Sequence, residues 1–194
     1  ASSAVGASID VVEHAEHVVE DWLAGLTMPP SGSPIALKVA RRSLVNIRVG
    51  TDQVSGAIVA SITRQPPYGL DWPRDGAFFN VALDVSGQTE LVEKRAALYA
   101  QWQRKKAVSA TPLIGQPPPP DPDTGSTATY PASAWEMNYF ADGTPGGMYR
   151  FEIDNAGFVV WLMVAHVGWT KLAPADYLEP LWDEIEAAAD LLAR

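Results

Sequence analysis

The chain has 194 residues, a formal net charge of −9 and a hydrophobic fraction of 47%. That length supports one domain or at most two small ones, and that apolar content supports a sizeable core rather than global disorder. The acidic balance, with 14 Lys and Arg scattered along the chain, argues against a nucleic-acid partner; the lack of Cys excludes a disulfide framework, a Cys-zinc site and a Cys nucleophile.

Residues Ile9 to Leu26 read as an amphipathic helix. Val11, Val12, Ala15, Val18, Val19, Trp22 and Leu23 recur at helical spacing, with Glu13, Glu16 and Glu20 on the other face. The run Thr27-Met28-Pro29-Pro30-Ser31-Gly32 stops it. A second helix is predicted from Pro34 to Arg48, since Pro suits a first turn. Gly56 to Ser61 favours a short strand and leads into a loop at Pro66-Pro67-Tyr68-Gly69. A third helix is predicted from Arg74 or Asp75 to a stop at Gly87, and a fourth from Thr89 to Lys105.

Residues 107–149 read differently. They carry Pro117 to Pro120 and then Asp121-Pro122-Asp123-Thr124-Gly125. A connection of this length inside a compact domain is often functional, and a Pro run is extended, so it reads as an active-site rim or a spacer. Ser133 to Phe140 suits a short strand. A fifth helix is predicted from Asn155 to Val167 and a sixth from Pro174 to Arg194. The fold class is therefore all-α, built of helix–loop–helix units.

No apolar run approaches the ~20 residues that span a bilayer; the longest, Phe158 to Ala165, is short. The first residues, Ala1-Ser2-Ser3-Ala4, lack an initiator Met. Small residues of this kind follow signal-peptide cleavage and equally suit a boundary within a longer protein. A secreted or periplasmic location is favoured over a cytoplasmic one, with both left open.

Three clusters can carry chemistry. The first is Tyr68-Gly69-Leu70-Asp71-Trp72-Pro73-Arg74-Asp75. Aromatic faces stack on the C–H faces of sugars, Arg donates in a fixed fork, and an ionised Asp only accepts. The competing reading makes Asp75 an N-cap and Trp72 plain core. The second is Trp135-Glu136 with Asn138 and Tyr139, which suits a polar, aromatic-lined groove or a half-buried strand. The third is Arg150-Phe151-Glu152-Ile153-Asp154-Asn155. There Asp154 or Asn155 suits an N-cap, while Glu152 and Asp154 suit a carboxylate pair or, with too few fixed oxygens, a weak cation site. His14 and His17 lie one turn apart on the first helix without a fixed carboxylate partner, and His166 lies at the end of the fifth. No metal site and no cofactor follow from these patterns.

The string Gly56-Ala57-Ile58-Val59-Ala60-Ser61, then Tyr68 and Trp72-Pro73-Arg74-Asp75-Gly76-Ala77-Phe78, resembles the glucoamylase family of glycoside hydrolases (family 15), which includes glucodextranases and some bacterial trehalases. Asp142-Gly143-Thr144 and Phe151 to Trp161 are similar to the next stretch in bacterial members. The resemblance implies an (α/α)6 six-hairpin toroid, with residues 1–194 forming its N-terminal half. It implies an exo-acting enzyme that cleaves α-linked glucosides or related oligosaccharides with inversion, using two carboxylates and an intervening water. Trp72, Arg74 and Asp75 would line the subsite for the terminal sugar, with Tyr68 beside them and Arg150 in reach. Trp135 and Glu136 join these as candidate substrate-binding residues. The family's acid lies in a later Trp-Glu motif, and its base later still, so no catalytic residue is assigned in this chain. The implied partners are an oligosaccharide and the remainder of the same enzyme, with no nucleic acid and no membrane. Two alternatives stand beside this reading. One is a carbohydrate-binding helical domain without catalysis. The other is an (α/α)-barrel polysaccharide lyase, against which the −9 charge counts.

Overall fold

The computed structural model describes residues 2–29, 32–63, 68–104, 134–146 and 152–193. Among these residues the fold is all-α and contains no strand. The helices are α1 (Ser2–Ala24), α2 (Pro34–Val49), α3 (Pro73–Val85), α4 (Thr89–Arg104), α5 (Ile153–Ala165), α6 (Pro174–Leu178) and α7 (Trp182–Leu192). A 3-10 turn at His166–Gly168 follows α5, and another at Glu179–Leu181 separates α6 from α7. No helix among the described residues is long and apolar enough to cross a membrane.

Local chemistry sets most helix ends. Ser33 opens α2 by accepting the Ala36 N–H at 3.2 Å, with Pro34 in the first turn. Gly87 closes α3 with φ at 86°. Its N–H donates to the Asp84 carbonyl at 2.9 Å, and the Gln88 N–H donates to the Leu83 carbonyl at 2.8 Å. That pattern is a Schellman end, which requires the left-handed conformation glycine tolerates. The sixth predicted helix breaks in two because Pro180 lacks an N–H and crowds the preceding turn.

Among the described residues, the short strands expected at 56–61 and 133–140 do not form. Single bridging pairs replace them: Thr51 with Ile58, Asp71 with Tyr139, and Tyr139 with Pro145. The reason is that each donor finds a different acceptor. The Ile58 N–H donates to the Asp71 carboxylate at 2.7 Å, Val59 to the Gly50 carbonyl at 3.0 Å, and Ala60 to Leu70 at 2.8 Å. Of the loop expected at 107–149, only 134–146 lies within the described residues. The helix expected from Ile9 to Leu26 forms within α1, but most of its apolar face is uncovered. Leu23 is buried, but Val11, Val12 and Val18 are exposed, because only the end of α1 meets the body. There Arg48 lies 4.8 Å over the Trp22 ring and Arg41 pairs with Glu20.

Helices α3 and α5 run parallel, since both their starts and their ends meet. At the start, the Arg74 N–H donates to Asn155 Oδ1 at 3.1 Å. At the end, His166 Nδ1 lies 2.7 Å from Asp84 Oδ1. Helix α4 returns antiparallel behind α3, with Arg95 opposite Asn80 and Tyr99 opposite Gly76. Helix α7 backs α5. The main core lies between these layers, with Tyr99, Trp102, Trp135, Tyr139, Val159 and Met163 all buried. The Trp102 and Tyr139 rings stack at 4.4 Å.

One polar network runs through this core. Arg95 is fully buried and donates to Asn80 Oδ1 at 2.7 Å, the Gly56 carbonyl at 2.7 Å, Asp71 Oδ2 at 3.1 Å and Tyr99 Oη at 2.6 Å. Tyr99 in turn donates to Asp71 Oδ1 at 2.6 Å, and burial pushes its phenol well above its ordinary pKa. A buried charge survives only when paired and hydrogen-bonded in this way. Gly76 is what lets Tyr99 and Arg95 approach α3. A Cβ there would overlap Tyr99 Oη and lie 2.6 Å from Arg95 Nη2. Gly76→Ala is therefore expected to destabilise the chain by about 1–3 kcal/mol, the usual cost of overpacking. Urea denaturation with m unchanged checks this. A gain in stability, as for an ordinary helical Gly→Ala change, would contradict it.

Candidate functional site

The first turn of α3 is built without a side-chain cap of its own. Trp72 occupies the N-cap position and Pro73 opens the helix. Asp75 therefore sits inside the first turn and not at the cap, where the positive end of the helix dipole favours its charge. The cap comes from elsewhere. Asn155 is fully buried and accepts the Arg74 N–H through Oδ1. Its Nδ2 donates to the Glu136 carbonyl at 3.1 Å and the Met137 carbonyl at 3.3 Å. Neither Asn155 nor Asp154 caps α5, whose N-cap is Glu152 without a side-chain bond.

This arrangement brings three carboxylates around one guanidinium. Arg74 Nη1 lies 3.0 Å from Glu152 Oε2 and 3.0 Å from Asp154 Oδ2. Arg74 Nη2 lies 3.7 Å from Asp75 Oδ2, an ion pair beyond hydrogen-bond reach. All four side chains are partly open to solvent. Burial alone would weaken the Arg74 charge, but the Asp154 hydrogen bond and the charges of Glu152, Asp154 and Asp75 raise its pKa overall. Burial raises the pKa of Asp75 against the opposing pull of Arg74. Glu152 is likewise raised by burial, with Arg74 opposing and Asp154 adding to the rise.

The aromatic residues divide. Tyr68 is half exposed and meets Trp72 edge to face, with ring centroids 5.5 Å apart. Trp72 itself is largely buried. Trp135 does not line a groove. It is fully buried, and its indole N–H donates to the Tyr99 carbonyl at 2.8 Å, so it is core. Glu136 is half buried. Its backbone N–H donates to Tyr139 Oη at 2.7 Å, and its carbonyl accepts from Asn155, so the backbone beside the site is fixed. Arg150 lies outside the described residues.

The site thus unites Tyr68, Trp72, Arg74 and Asp75 with Glu152 and Asp154, and places Glu136 next to Asn155. His14 and His17 are exposed on α1, away from any such cluster. His166 is fully buried between Asp84 and Glu93, where it ties helix ends together. Among the described residues no group of three or more His, Cys, Asp or Glu is arranged to hold a metal ion. Asn155 was missed as the organiser of the site because its partner is 81 residues away. The sequence signal for it, an Asn at a helix start, points first to a local cap.

Two consequences are measurable. Asn155→Ala leaves the Arg74 N–H and two carbonyls without their partner, so a loss of about 1–3 kcal/mol is expected in chemical denaturation. A neutral result would show that the clasp does not hold the site. Glu152 has a folded-state pKa raised above its ordinary 4.5. For a group raised in the folded state, stability is present below the unfolded value and is lost as pH rises through the folded one. The unfolding free energy of the native chain relative to Glu152→Gln should therefore fall as pH rises just above 4.5. A difference that grows with pH in that window would contradict the assignment.

A comparison with curated proteins finds a relative from Methanocaldococcus jannaschii named as an uncharacterized glycosyl hydrolase, 23% identical over 154 residues. The match covers 79% of this chain and 20% of the relative, so the chain spans about a fifth of that protein's length. No family model matches the chain. No solved structure matches it either. The relative is archaeal, whereas the sequence motifs resemble bacterial glucoamylase-type members. The similarity supports a glycosidase-like relationship at that general level.

Proposed function

We propose that this chain holds the terminal sugar of an oligosaccharide in an exo-acting, inverting glycoside hydrolase of glucoamylase type. The observation that carries the reading is the Arg74 cluster. Glu152 and Asp154 fix one edge of the guanidinium at 3.0 Å each, and Asp75 stands 3.7 Å from the other nitrogen. A planar donor fork held from one side keeps N–H groups for a ligand, and an adjacent carboxylate accepts from hydroxyls. Neutral polyols need that pairing. Tyr68 adds a half-exposed ring beside it for stacking. Glu136, close behind, belongs to the same proposed subsite.

The name of the archaeal relative supports a glycoside hydrolase acting on carbohydrate. Parallel α3 and α5, each backed by a further helix, fit the inner and outer layers of half an (α/α)6 toroid, with residues 1–194 as the N-terminal half. The acid and base of an inverting mechanism, set apart so that a water fits between them, are assigned to no residue of this chain. A lyase reading is disfavoured, since an acidic polysaccharide would meet three carboxylates around Arg74. One observation favours a second reading, a holding module without catalysis: Glu152 and Asp154 are both engaged by Arg74.

Asp75→Asn tests the proposal in the complete enzyme. The expected outcome is a loss of about 10- to 100-fold in kcat/KM on short oligosaccharides, the scale of one hydrogen bond to a charged group, with an unchanged circular-dichroism spectrum. Proton NMR of the first product should show the β-anomer from an α-linked substrate. Unchanged turnover would remove Asp75 from the site. Oligosaccharide binding without any hydrolysis would favour the holding module.

A further inference from the structure

The proposed sugar subsite draws Trp72, Arg74 and Asp75 from one short stretch, with Pro73 among them. The residues that flank it, Asp71 and Gly76, are both buried. Asp71 pairs with Tyr139 through the backbone, each N–H donating to the other's carbonyl at 2.9 Å. Its carboxylate uses both oxygens. Oδ2 accepts the Ile58 N–H at 2.7 Å and an Arg95 N–H at 3.1 Å, and Oδ1 accepts the Tyr99 hydroxyl at 2.6 Å. Gly76 closes the first turn of α3 by donating its N–H to the Trp72 carbonyl at 2.8 Å. Where a side chain at Gly76 would stand, Tyr99 Oη stands instead.

One atom therefore meets both ends of the stretch. Tyr99 Oη donates to Asp71 on one side and lies against Gly76 on the other. It is also pinned from behind, since Arg95, one turn earlier on α4, donates to it at 2.6 Å. Moving it would leave a buried carboxylate and a buried guanidinium each short of a partner, which is costly. Packing alone does not call for this hydroxyl. The ring fills its place in the core 5.3 Å from Trp102, and a Phe ring would do the same. Nor does the hydroxyl reach a sugar, because Tyr99 is fully buried, while Arg74 and Asp75 are partly open beside Glu152 and Asp154. Its influence on the subsite passes through Asp71 and Gly76. The Asp71 charge reaches the subsite too: burial raises the pKa of Asp75, Arg74 opposes the rise, and Asp71 adds to it.

We propose that Tyr99 is a positioning residue for the sugar subsite, its hydroxyl tying Asp71 to Gly76 and so setting where Trp72, Arg74 and Asp75 stand. The proposal rests on the reading of those three residues as that subsite. Asn155 holds the stretch from the side of α5, through the Arg74 N–H, and Tyr99 holds it from the side of α4. Binding groups displaced by about 1 Å can cost on the order of 100-fold in rate, so a tie of this kind is felt in turnover.

Tyr99→Phe in the complete enzyme tests this, with Tyr177→Phe as its match. Tyr177 is also a buried tyrosine, but it packs against His166 at the far end of the helix pair. Amide hydrogen exchange reads the stretch directly. In Tyr99→Phe the Arg74 and Gly76 amides should exchange about 10-fold faster relative to the α7 amides, the scale of one lost hydrogen bond. On maltotriose or isomaltotriose, whichever the wild type hydrolyses, kcat per folded molecule should fall about 10- to 100-fold, with KM changing less. Tyr177→Phe should leave exchange at Arg74 and Gly76, and kcat, as in the wild type. Gly76→Ala, which displaces the Tyr99 hydroxyl with the residue retained, should reproduce the faster exchange at Arg74 and the lower kcat. Exchange that rises only in step with α7, or an unchanged kcat in Tyr99→Phe or Gly76→Ala, would overturn the proposal. So would equal losses in Tyr177→Phe, because a general loss of stability would then account for both. A wild type that hydrolyses neither trimer overturns the sugar reading and the role of Tyr99 with it, whereas an active wild type with an unaltered Tyr99→Phe overturns this proposal alone.

Discussion

The geometry of the site depends on one carboxamide. Asn155, buried at the start of α5, accepts from the backbone of α3 and donates to two carbonyls of the 134–146 segment. An amide side chain suits this position because it both donates and accepts in one plane. A carboxylate has no donor for the carbonyls, and an apolar residue offers nothing to the α3 amide. The guanidinium of Arg74 meets Glu152 and Asp154 because their two backbones are already pinned there. The surface ion pairs contribute little on their own in such a partly solvated place. They aim the side chain, while the buried amide holds the frame.

The opposite end of the same helix pair is held by different chemistry. His166 is fully buried next to Asp84, with Glu93 3.6 Å from its other nitrogen. Burial raises the pKa of Asp84, with the His166 charge pulling the other way. The Tyr177 ring packs at 4.9 Å against the imidazole, and burial raises its phenol as well. Polar groups placed this deep are costly without partners, so they specify one alignment of the helices more than they add to stability.

Much of this frame was legible because punctuation residues act locally. Pro34 and Gly87 set helix ends through their own φ preferences, whatever the rest of the chain does, while α3 opens at Pro73, just before the expected start at Arg74 or Asp75. Arg74 and Asp75 stood out as donor and acceptor beside aromatics, and they do lie together at a helix start. Pro180 was equally local, yet an otherwise helical pattern hid the break. What remained hidden was non-local. Arg95 pairs with Asp71 across 24 residues and with Gly56 across 39, and no spacing rule links them. Trp135 misled because an indole beside a glutamate suits a groove, while its N–H is satisfied inside the core by a carbonyl of α4. The apolar stripe of α1 was read correctly as a pattern, but pattern alone does not say whether a partner surface is at hand.

The two clasps on α3 and α5 also bear on how freely the intervening chain can change. Partners separated by 81 and 82 residues define the same rigid pair whatever length joins them. Closure entropy grows only with the logarithm of loop length, so doubling a connection costs about 0.6 kcal/mol. Connection length is thus a weak constraint on this frame, provided that Trp135 and Tyr139 remain to fill the core and the carbonyls of Glu136 and Met137 remain to meet Asn155. The two clasps hold the Arg74 cluster in one place independently of the length of the connection that joins their partners.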